Sequence, residues 1–176
     1  MELFKAIEAR HSYRGAYTDD PVPRDDLKRI VAAGLAAPSG CNAQTTRFVI
    51  VDDPEILAAI GNLHTIPAMQ QAKAFICVVL DREPAPVYQE LSFQVEDCSA
   101  AVENMLLALT ALGYGSVWID GWLRAENRAE TIGDMLGVPS DKILRIILPV
   151  GVPAAEGPRR DKLPFVKRAW FNAYGA

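Results

Sequence analysis

The stretch QVEDCSAAVENMLLALTALGYGSVWIDG, residues 94–121, decides the fold prediction. We predict one long helix over about 88–112, because apolar residues cover nearly all of its sides after Asp97, as in a helix buried at the centre of a domain. The glycines at 113–115 end this helix, and residues 116–119 are predicted to form a strand. The stretch therefore predicts a central helix that leads directly into a strand.

Helical and strand patterns alternate irregularly on both sides of this stretch. The apolar spacing predicts helices over residues 2–9, 23–37, 54–60 and 128–136, and strands over 48–51, 74–80 and 143–150. This order is too irregular for a strict alternation of parallel strands and helices. We therefore predict one α+β domain with three layers, covering residues 1–176.

Composition excludes several classes of function. The net charge is −4, and the 18 basic residues are spread along the chain, which argues against nucleic acid and membrane surfaces as partners. Three cysteines without CxxC spacing and only two histidines make a disulfide frame or a zinc site unexpected. The N-terminus has no secretory apolar segment, so we expect a cytoplasmic protein.

The last 25 residues, about 152–176, carry prolines together with large apolar side chains. A disordered tail rarely carries so many large apolar groups. The tail either wraps its own domain or packs against a second copy of the chain, and the sequence pattern supports both interpretations equally.

Four polar clusters fall where turns are expected, and each has a structural explanation beside a functional one. Arg10 and Arg14 flank a histidine and a hydroxyl, a set that can bind phosphate through paired guanidinium donors or simply form a solvated helix end. Ser39, Asn42 and Gln44 can bind a polyol or the edge of a heterocycle, although such residues are also common in turns.

The other two clusters follow predicted strands. Gly121, next to Asp120, lets a flat ring approach the backbone, or it merely forms a turn. Gly151 precedes a basic stretch whose cations suit a phosphate or a solvated loop: Arg159, Arg160 and Lys162. The motifs of serine hydrolases, Walker A loops and dinucleotide folds do not occur in the sequence, and neither histidine is placed as a base for Cys41.

Taken in order, the motifs resemble the nitroreductase family of FMN enzymes. ARHSYR (9–14), APSGCNAQ (37–44), the central helix with Asp97 and Asn104, and PVGVP (149–153) before the basic tail follow one another as in that family. Each motif is weak alone, but four in the same order over residues 2–168 are specific.

The resemblance implies a mainly antiparallel central sheet between helices, and an intertwined homodimer with FMN at its interface. The C-terminal extension, about 152–176, is expected to reach onto the partner subunit. The resemblance also implies hydride transfer from NADH or NADPH through FMN to a small organic acceptor, of nitroaromatic or quinone type, by a ping-pong route. The chemistry is then carried by FMN and by no catalytic side chain.

The resemblance also assigns site residues, matched motif by motif. The phosphate and ribityl end of FMN is expected to contact Arg10, His11, Ser12 and Arg14. The partner subunit is expected to line the flavin with Pro38, Ser39, Gly40, Asn42 and Gln44. The backbone of Asp120 and Gly121 is expected to face the reactive edge of the ring, with Gly151, Arg160 and Lys162 near the phosphate.

The sequence departs from the family pattern in three places. Asp120 stands where the family commonly has Glu, residues 62–73 lack an Asn and Lys pair that larger members use, and the segment 120–128 is short, so a more open pocket is expected.

Two alternatives remain: a specialised flavin enzyme on the same scaffold, such as a dehalogenase, dehydrogenase or flavin-fragmenting synthase, or a non-catalytic FMN-binding storage or sensor protein.

Overall fold

The structure, a computed structural model, describes residues 1–175. Within this range the helices are α1 (Leu3–Ala9), α2 (Arg24–Leu35), α3 (Pro54–Gly61), α4 (Pro67–Gln70), α5 (Gln94–Leu112) and α6 (Arg128–Met135). The strands are β1 (Arg47–Val51), β2 (Ala74–Asp81) and β3 (Lys142–Val150), and short 3-10 turns lie at Gly40–Asn42 and Phe165–Lys167.

The three strands form an antiparallel sheet in the order β1-β2-β3. β2 lies in the middle, where Ile76 pairs with Ile50 on β1 and with Leu148 on β3. All seven residues from Ala74 to Leu80 are buried, as expected for a strand that is covered on both faces. The predicted α+β class and antiparallel sheet are confirmed.

Helices cover both faces of the sheet and give the predicted three layers. Ile76 and Val78 face a core that contains Met105 and Leu109 of α5 together with Ile30 of α2. The alternate residues of β2 face a second core, formed with α3, α4 and α6, that includes Phe75, Cys77, Ile60, Met69 and Ile132. This division follows from the two-residue period of a strand.

The central helix begins later than predicted, at Gln94 rather than near Tyr88. The N–H of Leu91 donates to the Tyr88 carbonyl at 2.9 Å, in a tight turn that keeps this segment out of the helix. After Asp97, every residue of α5 from Cys98 to Leu112 except Glu103 is buried or half-buried. This burial agrees with the predicted central position of the helix, and the exposed Val95 lies before Asp97.

The predicted strand 116–119 is also incomplete. Two isolated bridges connect Gly115 with Gly151 and Ile119 with Ile147, and no continuous ladder joins them. Between the bridges, the Ser116 carbonyl accepts the N–H of Tyr13 at 2.8 Å. The Ser116 carbonyl is therefore bonded to the segment after α1 and is not available for a regular strand ladder.

Large apolar side chains remain exposed at both ends of the chain. Phe165, Phe171 and Tyr174 of the tail are 62 %, 78 % and 91 % exposed, and Phe4 of α1 is 69 % exposed. Such a concentration of exposed aromatic rings is typical of surfaces that are covered by a partner. Among residues 1–175, no helix combines the length and the apolar character needed to cross a membrane.

Candidate functional site

The segment 10–14 is fixed between α1 and the end of α5. Tyr13 is buried, its N–H donates to the Ser116 carbonyl at 2.8 Å, and its hydroxyl donates to the Ala16 carbonyl. Its ring packs against that of Tyr17, with centroids 5.5 Å apart. Because Tyr13 is held at both ends, its neighbours His11, Ser12 and Arg14 have defined positions.

His11 carries a buried nitrogen without a partner. Its Nδ1 lies 3.0 Å from the Ala9 carbonyl, so Nδ1 carries the proton and donates. Its Nε2 is buried and forms no hydrogen bond with any residue in the range 1–175. The ring borders a cleft of about 180 Å³ that is also lined by Arg10, Arg159 and Ser116. A buried polar atom without a partner is uncommon in a folded protein.

The two arginines of the first motif differ in their surroundings. Arg10 is mostly buried and pairs with Glu103 of α5 at 3.3 Å. Arg14 is exposed and reaches the Ser12 carbonyl only at 3.5 Å, and none of the ion pairs within residues 1–175 involves it. Arg14 is therefore the cation of this motif that is free to bind an anion.

The loop 38–44 adopts a backbone conformation that residues other than glycine disfavour. Cys41, Asn42 and Gln44 have φ values of 49°, 56° and 50°, in the left-handed region. A Cβ on Gly40 would lie 2.4 Å from the Phe93 ring, so only glycine fits there. Ser39 closes the loop, because its hydroxyl accepts the N–H of Gln44 at 3.1 Å.

Asp97 of α5 anchors this loop, a role that the sequence did not reveal. Its carboxylate accepts the N–H of Gly40 at 2.8 Å and the hydroxyl of Thr45 at 3.3 Å. Asp97 is only 7 % exposed. The available signal was an acidic residue on the apolar face of a buried helix, since such a residue needs hydrogen-bond partners.

The two clusters lie at opposite ends of α5. A second cleft of about 120 Å³ adjoins Pro38, Ser39 and Gln44 near Asp97, whereas the His11 cleft adjoins Leu109. Twelve residues separate Asp97 from Leu109, which at 1.5 Å per residue is about 18 Å along the helix. A single chain therefore does not bring its 10–14 and 38–44 segments together.

Asp120 is held by two arginines. Arg124 donates to both of its carboxylate oxygens, at 2.6 and 2.8 Å, and Arg145 of β3 donates to Oδ1 at 2.9 Å. The next residue, Gly121, is exposed, and a Cβ built on it would meet no atom of the described residues within 4 Å. The carboxylate is thus engaged in ion pairs while the adjoining backbone is open.

Trp122 continues this region with a stack of rings. The ring centroids of His64 and Trp122 lie 4.6 Å apart, and the Arg128 guanidinium lies 4.9 Å from the centre of the Trp122 ring. His64 Nδ1 accepts the N–H of Ile66 at 3.1 Å, so this nitrogen is unprotonated. Burial, and then the charge of Arg128, lower the pKa of His64.

Gly151 and the tail cations occupy separate positions. A Cβ on Gly151 would lie 2.4 Å from the Tyr17 ring, which gives this glycine a packing role. Arg160 and Lys162 are exposed, and neither takes part in an ion pair within the described chain. Arg159 is the tail cation that lines the His11 cleft.

The two buried cysteines are not suited to act as nucleophiles. Burial raises the pKa of Cys77 to about 12, and burial together with Asp120 and Asp97 raises the pKa of Cys98 to about 12. Cys41 is exposed. Across residues 1–175, no group of three His, Cys, Asp or Glu side chains is arranged to hold a metal ion.

Known proteins of one family are similar to this chain in sequence. The model of the nitroreductase family matches residues 7–66 and 61–152. A protein of Archaeoglobus fulgidus, provisionally named NADH dehydrogenase/NAD(P)H nitroreductase, is 34 % identical over 155 residues, which are 88 % of this chain and 87 % of that protein. The FMN reductase [NAD(P)H] of Bacillus subtilis is 29 % identical over 93 % of this chain and 70 % of its own length.

A solved structure has the same fold. The crystal structure of a nitroreductase with bound FMN from Bacteroides fragilis superposes with a TM-score of 0.72 at 26 % identity, covering 93 % of this chain and 95 % of that one.

Proposed function

We propose that this chain, which belongs to the nitroreductase family, binds FMN between two copies of itself and passes electrons from NADH or NADPH to a small organic acceptor. The names of its relatives support the cofactor and the donor, since one relative is an FMN reductase [NAD(P)H] and a structural neighbour contains FMN. Nitroaromatics and quinones are the acceptors proposed here, with a ping-pong route.

The residues of the 10–14 segment fit a phosphorylated cofactor. His11 has a buried nitrogen without a partner among the described residues, and Arg159 lines the same cleft. Arg14 is an unpaired cation within residues 1–175 on the same segment. Guanidinium groups match phosphate oxygens in geometry and charge. Arg10, His11, Ser12 and Arg14 would therefore hold the phosphate and ribityl end.

The second half of the site is proposed to come from the partner subunit. The segments 10–14 and 38–44 lie about 18 Å apart along α5 in one chain, and the exposed aromatic residues of the tail supply a surface for a second copy. The loop formed by Pro38, Ser39, Gly40, Asn42 and Gln44 would then line the flavin of the other subunit. Gly151 would lie near the phosphate, and Arg160 and Lys162 of the tail would add positive charge.

FMN, when bound, supplies the redox chemistry by accepting and returning electrons at its ring. The chain supplies orientation and charge. The open backbone at Gly121 allows a flat ring to approach, and the N–H groups of Asp120 and Gly121 are donors that would stabilise negative charge on the ring. The Asp120 side chain is engaged by two arginines and is proposed to take no direct part.

One observation carries this proposal: His11, which has a buried nitrogen without a partner among the described residues, borders a cleft that Arg10 and Arg159 also line. The rival proposal is a storage or sensor protein that binds FMN without turnover. Anaerobic stopped-flow mixing with NADH or NADPH should bleach the flavin absorbance within seconds. Addition of a quinone or a nitroaromatic should then restore the absorbance. Bound flavin that neither nicotinamide reduces would favour the storage or sensor alternative.

A further inference from the structure

Arg145 contacts Asp120, the residue that precedes the open backbone at Gly121. It projects from β3 and donates through Nη1 to Asp120 Oδ1 at 2.9 Å. Arg124 donates to both oxygens of the same carboxylate, at 2.6 and 2.8 Å. Asp120 therefore accepts three charge-assisted hydrogen bonds, which are the stronger kind.

The cluster of Asp120, Arg124 and Arg145 has an excess positive charge. It contains two guanidinium groups and one carboxylate, so its formal charge is +1. The Asp120 and Arg145 side chains are each 22 % exposed, whereas that of Arg124 is 56 % exposed. Solvent screens the charge of Arg124 more strongly, so Arg145 is the less screened of the two cations.

The two arginines also differ in how firmly they are held. Arg145 lies on the edge strand of the sheet, between residues that belong to the hydrophobic core, Leu144 and Ile146. Arg124 lies in the turn that follows Gly121. A cation on a rigid strand acts at a fixed distance, as electrostatic preorganisation requires.

We propose that Arg145 sets the reduction potential of the bound flavin: it fixes Asp120 and leaves a net positive charge beside the Gly121 backbone, which favours the electron-rich state of the ring. This inference rests on the proposed function, because it requires FMN at Gly121. Arg145 is a positioning residue that acts through Asp120 and through its charge, and it is not expected to contact the nicotinamide or the acceptor.

The sign of each effect follows from the charge of the cluster. Arg145→Gln reduces the cluster from +1 to zero, which makes the flavin harder to reduce and lowers its potential. Asp120→Asn raises the cluster to +2 and raises the potential. Arg145→Lys keeps the charge and should stay near the parent. A tenfold change in the reduction equilibrium corresponds to about 30 mV for two electrons. We expect Arg145→Gln and Asp120→Asn each to change this equilibrium about tenfold.

The test is a spectroscopic titration of the holoprotein against a reference dye of known potential, with no turnover involved. Arg124→Gln should shift the potential less than Arg145→Gln. The matched control is Arg82→Gln, which removes an arginine that follows β2, pairs with Glu130 at 3.0 Å and forms no ion pair with Asp120. This control should leave the potential unchanged.

Equal potentials for the parent, Asp120→Asn and Arg145→Gln would overturn the inference while leaving FMN binding intact. If Arg145→Gln does not fold, Asp120→Asn decides: a raised potential supports the inference, and an unchanged or lowered one overturns it. A parent protein that binds no FMN would instead defeat the proposed function, and this inference with it.

Discussion

The carboxylate of Asp97 accepts the backbone N–H of Gly40 at 2.8 Å and so ties the loop 38–44 to the first turns of α5. The same carboxylate accepts the hydroxyl of Thr45 at 3.3 Å, at the other end of that loop. Since Gly40 also packs against the Phe93 ring, the loop is held from the helix side. We propose that its outer side faces the ring of the cofactor.

We expect Asp97→Ala to destabilise the protein by about 1.5–3 kcal/mol, the cost of losing a hydrogen bond to a charged group. Thermal and denaturant unfolding measure this loss. Glu96→Ala is the matched control, because Glu96 is the neighbouring acid in the same first turn and is exposed. Equal stability of the two variants would show that Asp97 does not anchor the loop.

Substitution of the exposed glycine should separate folding from cofactor binding. Gly121→Val meets no atom of the described residues within 4 Å at its Cβ, and its φ is not left-handed, so the unfolding free energy should stay near that of the parent. FMN affinity and turnover should fall, because bulk is placed where the ring must approach. At saturating FMN, Asp120→Ala should alter turnover less than Gly121→Val does.

The reverse ranking would be informative. If Asp120→Ala abolished reduction by the nicotinamide and Gly121→Val left it unchanged, the Asp120 side chain would have to act as a catalytic acid.

Loss of the cations proposed to bind the phosphate should weaken FMN binding and spare the chemistry. Arg14→Ala and Lys162→Ala should each cost about 1.5–3 kcal/mol of binding, or about 10- to 150-fold in affinity. Fluorescence quenching on FMN titration measures this. Saturating FMN should restore activity close to that of the parent, since neither side chain is expected to touch the reacting ring. Arg29→Ala, on the exposed face of α2, is the control and should bind FMN normally.

The tail should hold two subunits together. Deletion of residues 163–176 removes Phe165, Phe171 and Tyr174, which are largely exposed in a single chain. We expect the truncated protein to lose both its solubility and its flavin. Sedimentation or light scattering gives the mass, and a truncated chain that stays monomeric, soluble and yellow would show that the tail only covers its own domain.

Acid should destabilise the protein in part through His64. Burial lowers the pKa of His64 in the folded state, so the unfolded chain takes up a proton first as the pH falls below its ordinary value of about 6.5. The contribution of His64 to the free energy of unfolding is complete above about pH 6.5. It is lost as the pH falls from there towards the lowered pKa of the folded state. Between pH 7.5 and 5.5, the parent should therefore lose more unfolding free energy than His64→Asn.

In that comparison, asparagine keeps an oxygen that can accept the Ile66 N–H but cannot take up a proton. Equal losses for the two proteins would exclude His64 as a source of the acid sensitivity.

The main elements of the fold could be predicted from the sequence because their patterns are local. β2 is an unbroken apolar run, and Asp53 caps α3 as expected, accepting the N–H groups of Glu55 and Ile56 at 2.9 and 3.2 Å. The start of α5 could not be predicted, because the turn between Tyr88 and Leu91 competes with a helix through three backbone hydrogen bonds. The missing ladder at 116–119 depends on Tyr13, which is distant in sequence.

The sequence predicted a set of site residues, but it did not predict the side chains that hold them in place. Asp97 and Arg145 contact residues that lie far from them in the chain, and Arg124 contacts Asp120 across a turn. No periodicity marks such contacts. The assignment of individual residues to FMN stays a prediction, because a single chain contains only one half of each proposed site.

The absorbance spectrum of the purified protein, followed by identification of the released cofactor, tests the central claim most directly. The account predicts a yellow dimer that releases one FMN per chain on denaturation, and no FAD. A colourless protein that gains no flavin absorbance on incubation with FMN would contradict it.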